Sequence, residues 1–262
     1  MSKIGIIGGS GLDDPRILKD AREINVTTPF GVPSSPLTLG TISGVEVVLL
    51  SRHGRKHTIM PTNVPFRANI WALKEYGCTH VIASSACGSL REDIEPGHLV
   101  FPSQFIDRTT KRAATFFDQD RVCHISMEEP FCPQCRTLLA AIATERNFAH
   151  HVDRTVITIE GPRFSTRAES RMFRSWGADV INMSTVPEVV LAREAGMCYQ
   201  VIAMATDYDC FMDHRDNVSW EQIVRTMTAN VEKVTQIFVD AIPRLPDWQC
   251  ACREAIHSAL VG

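Results

Sequence analysis

Short apolar runs alternate with longer segments of mixed polarity along most of this chain. Lys3 to Gly8, Thr79 to Ser85, Thr155 to Glu160, Asp179 to Met183 and the run opening at Tyr199 are rich in Val, Ile, Ala and Met and show no helical spacing. Such runs predict strands buried on both faces of a mostly parallel sheet. Leu37 to Thr41 and Val45 to Leu50, joined through Ser43-Gly44, predict a hairpin. Helices are expected from Thr62 or Asn63 as cap, with Pro65 in the first turn, to about Tyr76, and over Pro130 to Arg146. Others are expected from Thr166 to Trp176, from about Glu188 to Ala195, and from a cap at Ser219 to about Ile242, where Pro243 and Pro246 stop it. A last short helix is expected to end at Leu260, and residues 107 to 122 are polar enough to form a long surface loop. Strand, loop and helix follow one another with no internal repeat and no low-complexity linker, which predicts one α/β domain over residues 1–262.

Composition narrows the function classes. The 262 residues are 44% hydrophobic and 22% charged, with a formal net charge of -3 and no block of like charge. A nucleic-acid partner would call for a basic stripe, so none is expected. Ile4 to Ile7 is too short for the apolar region of a signal peptide, and no run approaches the length of a membrane span, so a soluble, cytoplasmic protein with no membrane partner is expected. Nine cysteines are many for such a chain. Cys132-Pro-Gln-Cys135 has redox-motif spacing and Cys250-Ala-Cys252 is a C-x-C pair, but Cys123-His124 does not complete a zinc set with either. The thiols are therefore expected to be structural or incidental, with no metal site.

Candidate chemistry lies where the predicted strands end, the place where open α/β sheets bind ligands. The first strand runs into Gly8, Gly9, Ser10 and Gly11, either a plain turn or a nest of backbone N–H groups for an anion. A dinucleotide fingerprint fails there, because Asp14 stands where the third glycine belongs. The strand ending at Leu50 delivers Ser51, Arg52, His53, Gly54, Arg55, Lys56 and His57, either a solvated basic loop or an anion site with Arg52 as fork and His53 as second donor. Small residues at Ser85, Ala86 and Ser184 allow close approach to a ligand. The run from Tyr199 ends in Thr206, Asp207, Tyr208 and Asp209, whose carboxylates point the same way if the chain is still extended. They either cap a turn or form an acid pair. Trp220 and Ile223 share a helix face, which is plain core or a pocket wall.

The segments GIIGGSGLDDP, SRHGRKHTIMP, ANIWALKEYGCTHVIASSACGSLRE, QFIDRTT, IEGPRFSTRAES, ADVINMSTVPEVVLAREAGMCY and IAMATDYD together resemble the 5′-methylthioadenosine phosphorylases, in the trimeric branch of the purine nucleoside phosphorylases. The resemblance runs from about residue 3 to residue 242. It implies a single α/β domain with a central mixed β-sheet flanked by helices, a homotrimer, and no metal or organic cofactor beyond phosphate as co-substrate. The implied reaction is phosphorolysis of 5′-methylthioadenosine to adenine and 5-methylthioribose 1-phosphate, a step of methionine and purine salvage. The alternative within the enzyme class is a purine nucleoside phosphorylase acting mainly on adenosine or on the 6-oxopurine nucleosides inosine and guanosine. A binding protein that uses the fold without catalysis would lack the cationic loop or the acid pair, and both are here.

By the same resemblance, phosphate is expected at Ser10, Arg52, His53, Ser85, Ala86 and Ser184. Ribose is expected against Met183 and Asn182, and the base between Phe164 and Ser165, with Thr206, Asp207 and Asp209 at its edge. Asp207 would give the proton to N7 and Asp209 accept from N6. Trp220, standing where a smaller aliphatic residue is expected, and Ile223 would line the 5′ pocket, with His124 and Leu260 reaching into a neighbouring subunit's. The tail after Pro243 matches poorly. Its Cys250-Ala-Cys252 resembles pairs that are oxidised in some thermophilic relatives, and a Cys132–Cys198 disulfide is a further possibility.

Overall fold

Apolar residues spaced two apart on the strand Cys198–Tyr208 divide between two cores. Tyr199, Val201, Ala203 and Ala205 join one buried cluster, whereas Cys198, Ile202 and Met204 join another. A strand covered on both faces has no reason to alternate apolar with polar, which is why its sequence reads as an unbroken apolar run. The computed structural model describes residues 3–9, 12, 14–212, 220–245 and 250–261, with the side chains of Trp220, Gln222 and Ile223 not among them. In chain order the strands are β1 (Lys3–Gly8), β2 (Lys19–Ile24), β3 (Leu37–Ile42), β4 (Val45–Ser51), β5 (Cys78–Ser89), β6 (Leu99–Arg108), β7 (Val122–Cys123), β8 (His150–Ile159), β9 (Val180–Asn182), β10 (Cys198–Tyr208) and β11 (Leu260–Val261). The α-helices are α1 (Phe66–Glu75), α2 (Pro133–Glu145), α3 (Arg167–Ser175), α4 (Thr185–Glu194) and α5 (Trp220–Ala241).

Nine strands form one mixed sheet in the order β10-β6-β8-β9-β5-β1-β4-β3-β2, and β10 also pairs with β5, so that β5, β10, β6, β8 and β9 close a ring. Helices α2 and α5 pack on each other and on this ring, and α1 and α4 cover the opposite side of β5 and β10. Long β5 changes partner along its length. It pairs with β1 up to Ala83 and with β9 from Gly88, while β10 runs beside its other edge from His80 to Ser89. Between Ala83 and Gly88 one edge of β5 therefore has no strand beside it among the described residues. That gap, where β1 ends and β9 begins, is the topological switch point of the sheet.

The hairpin forms as expected: β3 and β4 are antiparallel, and Ser43 and Gly44 both take positive φ, 49° and 82°, as a tight primed turn requires. Other boundaries move. Helix α1 starts at Phe66 with no side-chain cap, because Thr62 and Asn63 belong to a separate 3-10 turn, Pro61–Asn63. Strand β6 was not among the expected strands, and it carries Pro102 within it. The strand shifts register on either side of Pro102, where no ladder N–H is needed, and the Gln200 amide donates to the Pro102 carbonyl at 3.1 Å. Residues 109–121 are irregular as expected, yet they bury Phe116 and fold back on the body of the domain. The chain end is not a helix: a 3-10 turn at Ala251–Arg253 leads to β11, which pairs with β7. The expected cap at Ser219 lies outside the described residues. No described helix is long and apolar enough to cross a membrane.

Candidate active site

A cavity of about 430 Å³ opens at the gap beside β5. One end is cationic. Arg52 follows β4 directly and is only 1% exposed. Its guanidinium forks onto Glu188 of α4, with Nη2 donating to Oε2 at 2.9 Å and Nε to Oε1, while Nη1 donates to the Ser84 carbonyl at 2.7 Å. Tyr199 of β10 donates to the same Glu188 carboxylate at 2.9 Å. Burial works against the charge on Arg52, but Glu188 more than offsets it and raises its pKa. The side chain is thus a fixed cation at the cavity wall rather than a mobile one. Gly9 faces it, and a Cβ there would lie 3.3 Å from both Arg52 Nη1 and the Ser84 carbonyl, so the backbone passes where no side chain fits comfortably.

Two expectations for the anion end change. The Gly9 N–H does not point into the cavity as part of a nest, because it donates to Ser84 Oγ at 3.2 Å. His53 was expected as a second donor, but its Nδ1 pairs with the Ile59 carbonyl at 2.8 Å, and burial with the Arg52 charge pushes its pKa down to about 4. A neutral ring donating from Nδ1 leaves Nε2 as an acceptor. Elsewhere in this segment, Arg55 turns outward to Glu23 and to Thr38 Oγ1, while His57 lines the cavity with its ring 4.6 Å from that of His53 and tilted by 40° to it. Ser10 lies outside the described residues.

The hydroxyls meet at the strand ends. Ser85 and Ser184 share a hydrogen bond of 2.7 Å, and Asn182 Nδ2 donates to Ser85 Oγ at 3.2 Å and Thr185 Oγ1 at 2.7 Å. Thr158 Oγ1 donates to Asn182 Oδ1 at 2.9 Å, so the Asn182 amide is held in one orientation. Ser85, Ala86, Asn182, Met183 and Ser184 all line the cavity. Met183 lies under Gly161, whose φ is 69° and whose Cβ, if it had one, would sit 2.5 Å from Met183 Sδ.

The opposite end is acidic. Asp207, near the end of β10, and Asp209 just beyond it both line the cavity, as the two-residue spacing required. Burial, with the neighbouring Asp209 adding to it, raises Asp207 to about 6 against a hydrogen bond from Thr206 Oγ1 at 2.6 Å. Burial also raises Asp209, with the nearby hydroxyls of Ser170 and Ser165 pulling the other way. Asp209 Oδ2, Ser165 Oγ and Ser170 Oγ are buried, and although the two hydroxyls are close enough to act on the carboxyl, none of the three atoms makes a well-aligned hydrogen bond. Phe164 stands at this end 65% exposed, an aromatic face that the protein itself does not cover.

Arg52, His53, Ser85, Ala86, Ser184, Phe164, Ser165, Asn182, Met183, Thr206, Asp207 and Asp209 are all brought to one cavity. His124 and Leu260 are not. They sit together on the small β7–β11 sheet, where the His124 N–H donates to the Ala259 carbonyl at 2.8 Å, away from this chain's own cavity. The side chains of Trp220 and Ile223 lie outside the described residues, but Met227, one turn beyond Ile223 on α5, lines the cavity and extends the same helical spacing. Glu188 was also missed, although an acid set in the apolar run Val186 to Leu191 is a visible sign of a buried partner. All nine cysteines are free thiols, with neither of the two pairings that the resemblance left open, and Cys132, Cys198, Cys250 and Cys252 gather in one cluster that their sequence spacing did not reveal.

The sequence profile of the phosphorylase superfamily matches residues 3–243. The S-methyl-5′-thioadenosine phosphorylase of Danio rerio is 59% identical over 253 residues, covering 94% of this chain and 90% of that one. The structure of Schistosoma mansoni methylthioadenosine phosphorylase in complex with adenine superposes with a TM-score of 0.93 at 40% identity, covering 98% of this chain and 97% of that one. A mutant adenosine/methylthioadenosine phosphorylase from the same organism, in complex with methylthioadenosine, superposes with a TM-score of 0.93 at 38% identity, covering 99% and 98% of the two chains. The chain belongs to the phosphorylase superfamily and, within it, to the S-methyl-5′-thioadenosine phosphorylases.

Proposed function

We propose that this protein is a pentosyltransferase that cleaves 5′-methylthioadenosine with phosphate, yielding adenine and 5-methylthioribose 1-phosphate for purine and methionine salvage. The observation that carries this reading is the polarity of the cavity, with a fixed guanidinium at one end and a buried acid pair at the other. Phosphate sits at Arg52, Ser85, Ala86 and Ser184, with Ser10 as a further hydroxyl ligand by the family resemblance, and His53 Nε2 accepts from a protonated phosphate oxygen. Ribose lies over Met183 beside Asn182. A phosphate oxygen attacks the anomeric carbon as the bond to N9 breaks, and the electron pair passes to the purine.

Adenine leaves easily only if N7 is protonated. Asp207, raised toward neutrality by its burial, gives that proton, and Asp209 accepts from the N6 amino group. Phosphate is co-substrate, nucleophile and counter-charge to the oxocarbenium-like centre, and the reaction as proposed uses no further cofactor. Trp220, Ile223 and Met227 of α5 form the apolar 5′ wall. The active form is a cytoplasmic homotrimer in which His124 and Leu260 complete a neighbour's 5′ pocket.

Adenosine is a second substrate to weigh, since a solved relative carries adenosine in its name. Release of adenine from 5′-methylthioadenosine with and without phosphate, beside adenosine and inosine, tests the proposal. The expected result is phosphate-dependent release, fastest from 5′-methylthioadenosine. Phosphate-independent cleavage, or inosine split as readily, would overturn it.

A further inference from the structure

Four cysteines far apart in sequence meet at a point remote from the catalytic cavity. Cys132 precedes α2 as its cap residue, Cys198 opens β10, and Cys250 and Cys252 come from the segment after α5. Their sulfur atoms all lie within 4.8 Å of one another. Cys132 Sγ is 3.6 Å from Cys250 Sγ, which is 3.4 Å from Cys252 Sγ. A tetrahedral zinc ion with Zn–S near 2.3 Å spaces its sulfurs by roughly 3.8 Å, so these separations need little adjustment to hold one. The convergence is of four sulfurs on one centre, not of two separate pairs.

The surroundings suit thiolates. Cys132, Cys198 and Cys252 are buried and Cys250 is half-buried, which leaves room for four protein ligands and no obvious place for a water. Arg193 Nη1 lies 3.8 Å from Cys252 Sγ, bringing positive charge to a site that carries net negative charge when filled. Buried Cys135 itself is not among the four.

We propose that Cys132, Cys198, Cys250 and Cys252 bind one zinc ion as a closed structural site that clips the C-terminal segment to the body of the domain. Soft thiolate ligands select a thiophilic d10 ion, and four of them leave no open position for catalysis. The clip ties down the stretch that leads to β11, whose partner β7 has no other strand beside it among the described residues. Metal binding then contributes directly to stability, because the unfolded chain cannot assemble a site from three distant segments.

The test uses the full chain, purified under reducing conditions, exposed to Zn2+ and desalted. About one zinc per chain should remain, be released by an organomercurial, and be lost from Cys198→Ser and from Cys250→Ser. Co2+ in place of zinc should give thiolate-to-cobalt charge-transfer bands in the wild type only. A strong chelator should lower the Tm of the wild type by several degrees and leave that of Cys250→Ser unchanged. If buried Cys198→Ser does not fold, the half-buried Cys250→Ser and a Cys250→Ser/Cys252→Ser pair decide the matter. Zinc far below one per chain, equal zinc in the variants, or an intact mass showing hydrogens lost to disulfides would overturn the proposal.

Discussion

Asp207 carries opposite demands on stability and chemistry. Its pKa rises from 3.8 to about 6 because the folded site strips water from the carboxylate and sets Asp209 beside it. A carboxyl whose folded value exceeds its unfolded one costs stability as pH rises between the two, and the whole cost is present above the folded value. For this shift the cost at pH 7 is on the order of 3 kcal/mol. Asp207→Asn should therefore make the protein more stable in urea at pH 7, with the gain fading below about pH 4. The same variant should lose roughly 10²–10⁴ in kcat/KM on 5′-methylthioadenosine, the usual worth of a general acid. In the wild type, kcat/KM should fall as pH rises through the apparent value of the pair, and this alkaline limb should vanish in Asp207→Asn. A limb that persists there would assign it to another group. The pairing of Asp207 with Asp209 was visible as a two-residue spacing at a strand end, whereas the degree of burial that tunes them was not.

At the scale of elements, the proposed phosphate site depends on α4 as much as on the loop that bears Arg52. Glu188 has no exposed surface and holds the Arg52 fork. Breaking a buried ion pair costs about 3–5 kcal/mol, because the partner stays buried and uncompensated. Glu188→Gln should destabilise the protein by that order and raise the KM for phosphate tenfold or more, with a smaller change in the KM for nucleoside. Equal changes in the two KM values would show that Glu188 supports the fold without aiming Arg52. The turn after β8 makes a separate demand. Gly161→Ala would place a Cβ at φ 69° and 2.5 Å from Met183 Sδ. It should cost at least about 1 kcal/mol and raise the KM for nucleoside more than for phosphate. Melts and paired saturation curves check both effects.

Across the whole molecule, the small β7–β11 sheet presents apolar surface that this chain leaves open. Val122 is 52% exposed and Val261 59%, next to the His124 and Leu260 pair. A surface of this kind, set away from its own cavity, is suited to meeting a second subunit. If the proposed trimer forms through this surface, Val261→Asp should lower the mass seen by light scattering from three chains of 29.2 kDa toward one, and reduce activity on 5′-methylthioadenosine in parallel. A wild type that is monomeric and fully active would remove the proposed trimer and, with it, the roles given to His124 and Leu260.

The sequence by itself determined the class of the fold and the charged and small residues at the strand ends that meet in the cavity. Buried strands read as short apolar runs, and the residues at their ends, Arg52 and His53, Ser85, Ser184, Asp207 and Asp209, stand out because a small or charged side chain directly after such a run has few structural reasons to be there. Strand β6 was not legible, because a Pro that would break an isolated pattern is accommodated by a bulge and by Gln200 from another strand. The donor state of His53, the lock on Asn182 and the hold of Glu188 on Arg52 were equally out of reach. Each depends on partners that lie 6 to 136 residues away in the chain. The cysteines make the same point most sharply. Two short motifs looked unmatched in sequence, and only the packing of β10 and the C-terminal segment against the start of α2 supplied the second pair. Periodicity and turn chemistry act between near neighbours and can be read along the chain; burial, charge balance and ligand sets arise between segments that only folding brings together.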